Sequence, residues 1–353
     1  MKVGTFISGW LADAARGARE AETLGYDFVT CDETEHDSML TMAAAASSTQ
    51  RVELHTAVTV AFARSPMVLA IQAWDIQQLS RGRLMLGLGS QQEDHLERRF
   101  STPWTPPAPR MKEYVQCLRA IWDTFQHEAE PQFAGRHYRF QLMPRGYSPG
   151  PIEAPRPRVF VGAARPAMAR VAGEVADGLP YVRITDKYMR EVVLPNIKAG
   201  LERGGRTWAD IEITDCGLMI LGEDEREIEQ GLERARRRIA MAFSPGSQLI
   251  GPIDEIFELH GWSELRARLR ALAANSGLED AANAIPDEVL RELVQTSTFG
   301  NLPDFIRQHR EYARRMYFAP PIRSEAEKER FRFLLPELQN VQTPGVPRGM
   351  EMA

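Results

Sequence analysis

Cysteine is scarce in this chain: only Cys31, Cys117 and Cys216 occur in 353 residues. They lie far apart and form no Cys-x-x-Cys pair, so neither a disulfide framework nor a cysteine zinc site is indicated. Long apolar runs are missing too, and none approaches the ~18 residues that a membrane-spanning helix needs. The opening stretch has one lysine and a few apolar residues before it turns amphipathic, which is not the pattern of a signal peptide. These absences predict a reducing, cytoplasmic compartment and no membrane partner. Basic blocks are also lacking. The formal net charge is −5 and both signs are mixed along the chain, so no nucleic-acid footprint stands out. The most arginine-rich run, Glu233 to Ala240, alternates with apolar positions and reads as the solvated face of a helix. No His-x-His follows the first predicted strand, and neither His-Glu-x-x-His nor Gly-x-Ser-x-Gly occurs. The common metallohydrolase and serine-hydrolase signatures are therefore absent.

What is present is a regular alternation of short apolar runs and amphipathic helices. The runs Val3 to Ser8, Tyr26 to Cys31, Val52 to Phe62 and Arg83 to Ser90 read as the first four strands. Arg158 to Ala163, Gly178 to Ile184, Ile211 to Leu221 and Val294 to Gly300 read as the next four. Helices are predicted between them, with Gly25 ending the first, Asp37 or Ser38 opening the second and Pro66 starting the third. A last helix is predicted over Leu302 to Arg315. The runs are continuously apolar rather than alternating, which suits a parallel sheet covered on its outside. Eight units, with no Gly-x-Gly-x-x-Gly turn after the first strand, favour a closed α/β barrel, the (β/α)8 TIM barrel, over an open doubly wound sheet. The expected layout is one barrel over residues 1–318 with insertions near 128–156 and 244–293. A tail, or an arm on a partner subunit, is expected over 319–353.

In such a barrel, chemistry sits where strands end and the following loops begin. The second strand ends in Cys31, Asp32, Glu33, Thr34, Glu35, His36 and Asp37, placing four acids and a histidine in seven residues. His36 or Glu33 could serve there as a proton donor; the plainer reading makes Asp37 a helix cap and leaves the rest solvated. The fourth strand ends in Gly87, Gly89, Ser90, Gln91 and Gln92, where glycines admit either a ligand or a tightly packed neighbour. The fifth runs through Gly162, Ala163 and Ala164 into a helix beginning at Pro166, an arrangement that exposes amide groups to a phosphate. Arg165 adds charge. A second glycine turn at Gly300 precedes the last helix and is a further phosphate candidate, because late barrel strands often hold phosphate. His55 falls mid-strand and suits a satisfied core position.

The stretch RSPMVLAIQAWDIQQLSRGRLMLGLGSQQEDHLERRFSTPW, followed by RMKEYVQCLRAIW, resembles the luciferase-like monooxygenase family. ETEHDSM after the second strand, TAVTVAFARSP on the third and VFVGAARPAMARVAGEVADG on the fifth look like its branch that uses the deazaflavin coenzyme F-420. The similarity covers roughly residues 1–315 and is most specific between Arg64 and Trp122. It implies a (β/α)8 barrel with insertions, often a homodimer, that binds a reduced flavin or deazaflavin at the strand carboxyl ends. By position, Asp32 and Glu33 match the acidic or Asp-His pair near the ring, and Ala57–Val58 matches a non-proline cis peptide behind it. Gly89 and Ser90, with Gln91 beside them, match ring-edge contacts, while Gly162, Ala163 and Ala164 match the phosphate loop. Many members have His directly after the Asp; here that residue is Glu33, with His36 three positions on.

The implied activity is hydride transfer between coenzyme F-420 and a small-molecule substrate, with His36 as acid and Glu33 as second choice. The alternative is an FMN-dependent two-component monooxygenase supplied by a partner flavin reductase. A metal-dependent barrel hydrolase using His36, Glu33 and His95 is a more distant alternative, and no metal site is predicted.

Overall fold

A computed structural model describes residues 1–180, 182–215, 218–245, 252–317 and 325–351, with the backbone alone for 325–327 and 330. Its strands in chain order begin with β1 (Lys2–Phe6), β2 (Phe28–Cys31), β3 (Glu53–Thr56), β4 (Thr59–Val60) and β5 (Leu84–Gly89). A short hairpin of β6 (Phe133–Ala134) and β7 (Arg139–Phe140) follows. The remainder are β8 (Arg158–Val161), β9 (Gly178–Leu179), β10 (Glu212–Ile213), β11 (Leu218–Gly222), β12 (Val294–Thr298) and β13 (Arg315–Tyr317).

The main sheet runs β10-β9-β8-β5-β3-β2-β1-β13, and its strand pairs are parallel. A bridge from Thr214 to Arg315 joins its two ends. There the Asp215 amide donates to the Arg315 carbonyl at 2.7 Å, and the Arg314 amide to the Ile213 carbonyl at 3.0 Å. The sheet thus closes into the expected (β/α)8 barrel, with β3 and β4 sharing the third position.

Two strand assignments change. The predicted seventh strand, Ile211 to Leu221, divides: Glu212–Ile213 stays in the barrel, while Leu218–Gly222 leaves it. The latter pairs in parallel with Val294–Thr298, the predicted eighth strand, in a separate two-stranded sheet. The true eighth barrel strand is Arg315–Tyr317, because the last predicted helix stops at His309. A side sheet demands the same apolar, β-branched residues as a barrel strand, so composition cannot tell them apart.

The helices are α1 (Leu11–Leu24), α2 (Ser38–Ser48), α3 (Pro66–Leu79), α4 (Pro107–His127), α5 (Pro166–Val175), α6 (Asp186–Tyr188) and α7 (Leu194–Arg203). They continue with α8 (Glu225–Ala240), α9 (Ile253–Leu259), α10 (Ser263–Asn275), α11 (Leu278–Asn283), α12 (Asp287–Leu293), α13 (Leu302–His309) and α14 (Glu325–Gln339). Gly25 ends α1 in the left-handed region at φ 98°, where glycine carries no Cβ penalty. Helix α14 packs on α1 and β1, with Phe331, Leu334, Leu335 and Leu338 buried. The amino-terminal ammonium of Met1 donates to the carbonyls of Gln339 and Val341, which holds this helix beside the first strand. Among the described residues no helix is long and apolar enough to cross a membrane.

The amino-terminal end of the barrel is filled by charge. Arg315, at the head of β13, pairs with Glu53 and Glu212 at the heads of β3 and β10. Arg158, at the head of β8, meets Glu212 at 2.9 Å. One layer up, His55 stacks on Phe28 with ring centroids 4.5 Å apart and lies 5.7 Å from Phe160. With this end plugged by a paired network, the carboxyl-terminal mouth is left as the candidate place for a ligand.

Candidate active site at the barrel mouth

The loop after β2 is organised by an arginine from the segment that follows the neighbouring third strand. Glu33 accepts hydrogen bonds from the Val60 amide at 2.6 Å and from both terminal nitrogens of Arg64. Arg64 also donates to Asp37 at 2.6 Å, and Asp37 caps α2 by accepting from the amides of Met39 and Leu40. Burial alone would lower the Arg64 pKa, but the two carboxylates hold it above its ordinary value. Both Glu33 oxygens are thus committed to accepting, a poor arrangement for a proton donor. Arg64 went unnoticed as a site residue in the sequence. The available signal was that it is the single cation between Val52 and Ser80, facing a loop with four acids.

His36 sits between the two acids that Arg64 holds. Its ring lies 4.5 Å from that of Trp10, which follows β1 and is 65% exposed at the mouth. Gly9 allows this approach, since a Cβ there would come within 2.7 Å of the imidazole. The Nε2 atom of His36 is buried and has no hydrogen-bond partner. Asp32, half-buried at the start of the same loop, accepts from the Thr34 hydroxyl at 3.0 Å. Arg99, from the loop after β5, donates to the Thr34 carbonyl. Loops following the first, second and fourth barrel strands thus meet around His36.

At the third strand the Ala57–Val58 peptide is cis, as the resemblance implied. The Val58 side chain projects towards the glycines of the next two strands. A Cβ on Gly89 would lie 2.4 Å from Val58 Cγ2, and one on Gly162 would lie 3.4 Å from Val58 Cγ1. At Gly87 the obstacle is backbone, the Thr56 carbonyl oxygen at 1.9 Å. These glycines make room for the neighbouring strand itself. Ser90 and Gln91 follow, half-buried, with Gln91 in the left-handed region at φ 58° and neither side chain hydrogen-bonded.

The fifth strand delivers Gly162, buried Ala163 and half-buried Ala164 to the start of α5. Helices α2 and α3 are capped by the side chains of Asp37 and Ser65, whereas Arg165 gives α5 no side-chain cap. Its guanidinium instead pairs with Glu255 of α9 at 2.6 Å. The amino end of α5 keeps uncapped amide donors and the positive end of its dipole, which is how a helix receives a phosphate.

Residues 7–315 match the luciferase-like monooxygenase family. The chain belongs to that family. A similar relative is the uncharacterized protein Rv1360 of Mycobacterium tuberculosis, 38% identical over 292 residues, covering 82% of this chain and 84% of that protein. Rv3520c of the same organism, a putative coenzyme F420-dependent oxidoreductase, is 26% identical over 311 residues, covering 83% and 87%. Among solved structures, the coenzyme F420-dependent tetrahydromethanopterin reductase from Methanopyrus kandleri shares the fold at a TM-score of 0.73. It is 17% identical, with 96% and 97% of the two chains covered.

Within this luciferase-like barrel, the structure brings Asp32, Glu33, His36, Ala57, Val58, Gly89, Ser90 and Gln91 to one end with the Gly162–Ala164 turn. It does not bring Gly300 into that set. Gly300 is exposed after β12, on the side sheet rather than at the end of a barrel strand, so the reason for assigning it to phosphate falls away. His95 lies in the turn after β5, and among the described residues no group of three or more His, Cys, Asp or Glu is arranged to hold a metal ion. The hydrolase alternative lacks a ligand set there.

Proposed function

We propose that this protein is an oxidoreductase that transfers a hydride between coenzyme F-420 and a small organic substrate, with His36 handling the accompanying proton. The observation that carries the reading is the buried Nε2 of His36, unpartnered at the barrel mouth beside exposed Trp10. A buried polar nitrogen without a protein partner is uncommon and points to a ligand that completes it. The family relationship, together with the F420-dependent names of Rv3520c and the Methanopyrus reductase, favours a deazaflavin over FMN.

The residues at the mouth fit such a cofactor. The uncapped amino end of α5, with Gly162, Ala163 and Ala164, would hold its phosphate, and the free side chains of Ser90 and Gln91 would meet its ring edge. Ala57 and Val58 would stand behind the ring, and Asp32 would lie near it. When bound, the deazaflavin supplies the hydride-exchanging carbon, a step the protein itself has no group to perform. The chain's part is to orient and to move a proton. His36 Nε2 holds or receives that proton, and the Arg64 pairs with Glu33 and Asp37 keep the His36 loop in place. This assigns Glu33 to support rather than to acid catalysis.

Titrating the purified protein separately with F-420 and FMN, followed by absorbance and fluorescence, tests the reading. F-420 is expected to bind at least about tenfold more tightly, a difference of ~1.4 kcal/mol. Tighter FMN binding would move the protein to the flavin monooxygenase alternative with its partner reductase.

A further inference from the structure

The run Arg236-Arg237-Arg238 on α8 reads in the sequence as one solvated face, yet its members behave differently. Arg236 donates to the Ile285 carbonyl and pairs with Asp287, and Arg237 pairs with Glu279 at 3.3 Å. Arg238 has no hydrogen bond or ion pair, and it lines a cleft between α8, α9 and the segment after β9. The open space of this cleft, its mouth to solvent included, is about 640 Å³. Among the described residues its other charged wall residue is Arg183, also exposed and also without a partner. The remaining lining is overwhelmingly apolar, with Ile184, Ile239, Ile253 and Leu293 among it.

The cleft lies on the functional side of the barrel. Arg183 and Ile184 follow the sixth barrel strand, and the chain that leaves the seventh contributes Leu218. Its α9 wall is tied to the uncapped start of α5 through the Arg165–Glu255 pair. Two guanidinium groups, with no carboxylate among the described lining residues and an apolar surface beside them, suit a ligand with a hydrocarbon body and an acidic group. The planar fork of arginine takes a carboxylate or phosphate through paired hydrogen bonds. The apolar walls gain from removing hydrocarbon from water, whereas a densely charged ligand would be desolvated against them without return.

We propose that this cleft receives the substrate, and that the substrate is an amphipathic organic anion whose acid group is held by Arg183 and Arg238. The assignment rests on the oxidoreductase reading of the neighbouring mouth and names the substrate class for it. Both arginines are exposed, so replacing them leaves the core untouched.

Calorimetric titration of the full-length protein with octanoate, 1-octanol and glutarate decides the matter, using wild type and an Arg183→Met/Arg238→Met double variant. Octanoate is expected to bind wild type and to lose about tenfold or more in affinity in the variant, while octanol binding stays the same. Absence of octanoate binding, or equal affinity in both proteins, overturns the proposal. Glutarate binding as tightly as octanoate also overturns it, since the site would then take small polyanions, such as an acidic cofactor tail, without using its apolar walls. The titrations need no cofactor. F-420 binding measured alongside therefore reports separately, and a wild type that binds F-420 but not octanoate sinks this inference alone.

Discussion

Arg64 and Asp37 meet at 2.6 Å between neighbouring strand ends, and through that contact the third-strand segment grips the loop of the second. The same guanidinium binds Glu33, so the residues on both flanks of His36 are held by one side chain. The Arg64 and Glu33 side chains are 12% and 9% exposed, so the pair is largely shielded from water and its parts depend on each other. Arg64→Met should destabilise the protein by roughly 3–5 kcal/mol, because it leaves a buried carboxylate uncompensated. Combining it with Glu33→Gln should recover part of that loss. Urea unfolding of the two variants measures this; equal losses would show that the pair is not coupled.

His36→Ala should lower turnover by about 10²–10⁴-fold, the usual contribution of a positioned general acid or base. Cofactor affinity should change little. Steady-state kinetics beside a cofactor titration check both halves, and unchanged turnover would remove His36 from the proton-transfer role.

Burial pushes the His55 imidazole down to about 4, and its hydrogen bond to Glu53 only partly offsets that. A histidine that stays neutral when folded but has a pKa near 6.5 when unfolded stabilises the fold fully above ~6.5. That contribution is lost progressively as the pH falls from there towards 4, by on the order of 3 kcal/mol. Glu53 and Glu212 are held below the usual carboxylate range, against burial, by His55 and arginine partners, so the stability they contribute is also lost as the pH falls through and below that range. Unfolding free energy measured between pH 4 and 7 should decline on the acid side, and His55→Gln should flatten that decline.

Two glycines on neighbouring strands should respond unequally to the same substitution. A methyl on Gly87 would run into the Thr56 carbonyl at 1.9 Å, and backbone cannot give way, so Gly87→Ala should cost about 1–3 kcal/mol. A methyl on Gly162 finds its nearest neighbours at 3.4 Å, so Gly162→Ala should change stability by less than about 1 kcal/mol. Thermal melts of both variants make the comparison; similar losses would contradict the packing described at the strand ends.

The second-strand acids, the Pro-led helices and the glycine-punctuated strand ends were legible because each follows from local chemistry. Asp37 caps α2 and Ser65 caps α3 through contacts only two or three residues long. The sharing of roles among Glu33, His36 and Arg64 was not legible, since Arg64 comes from 31 residues further along the chain. Gly300 was misplaced because the segment before it satisfies the same apolar pattern in a side sheet as in a barrel wall.

By itself, then, the order of residues determined the alternation of strand and helix, the parallel closed class of fold and the end of the barrel where the candidate residues gather. Those properties depend on periodicity and on short-range capping. The tertiary structure decided which strand closes the ring, which acid is consumed by an arginine, and which nitrogen is left buried without a partner. It also decided which two of many arginines face an apolar cleft. Such outcomes depend on groups far apart in the chain competing for the same neighbours, and only the folded arrangement says which of them meet.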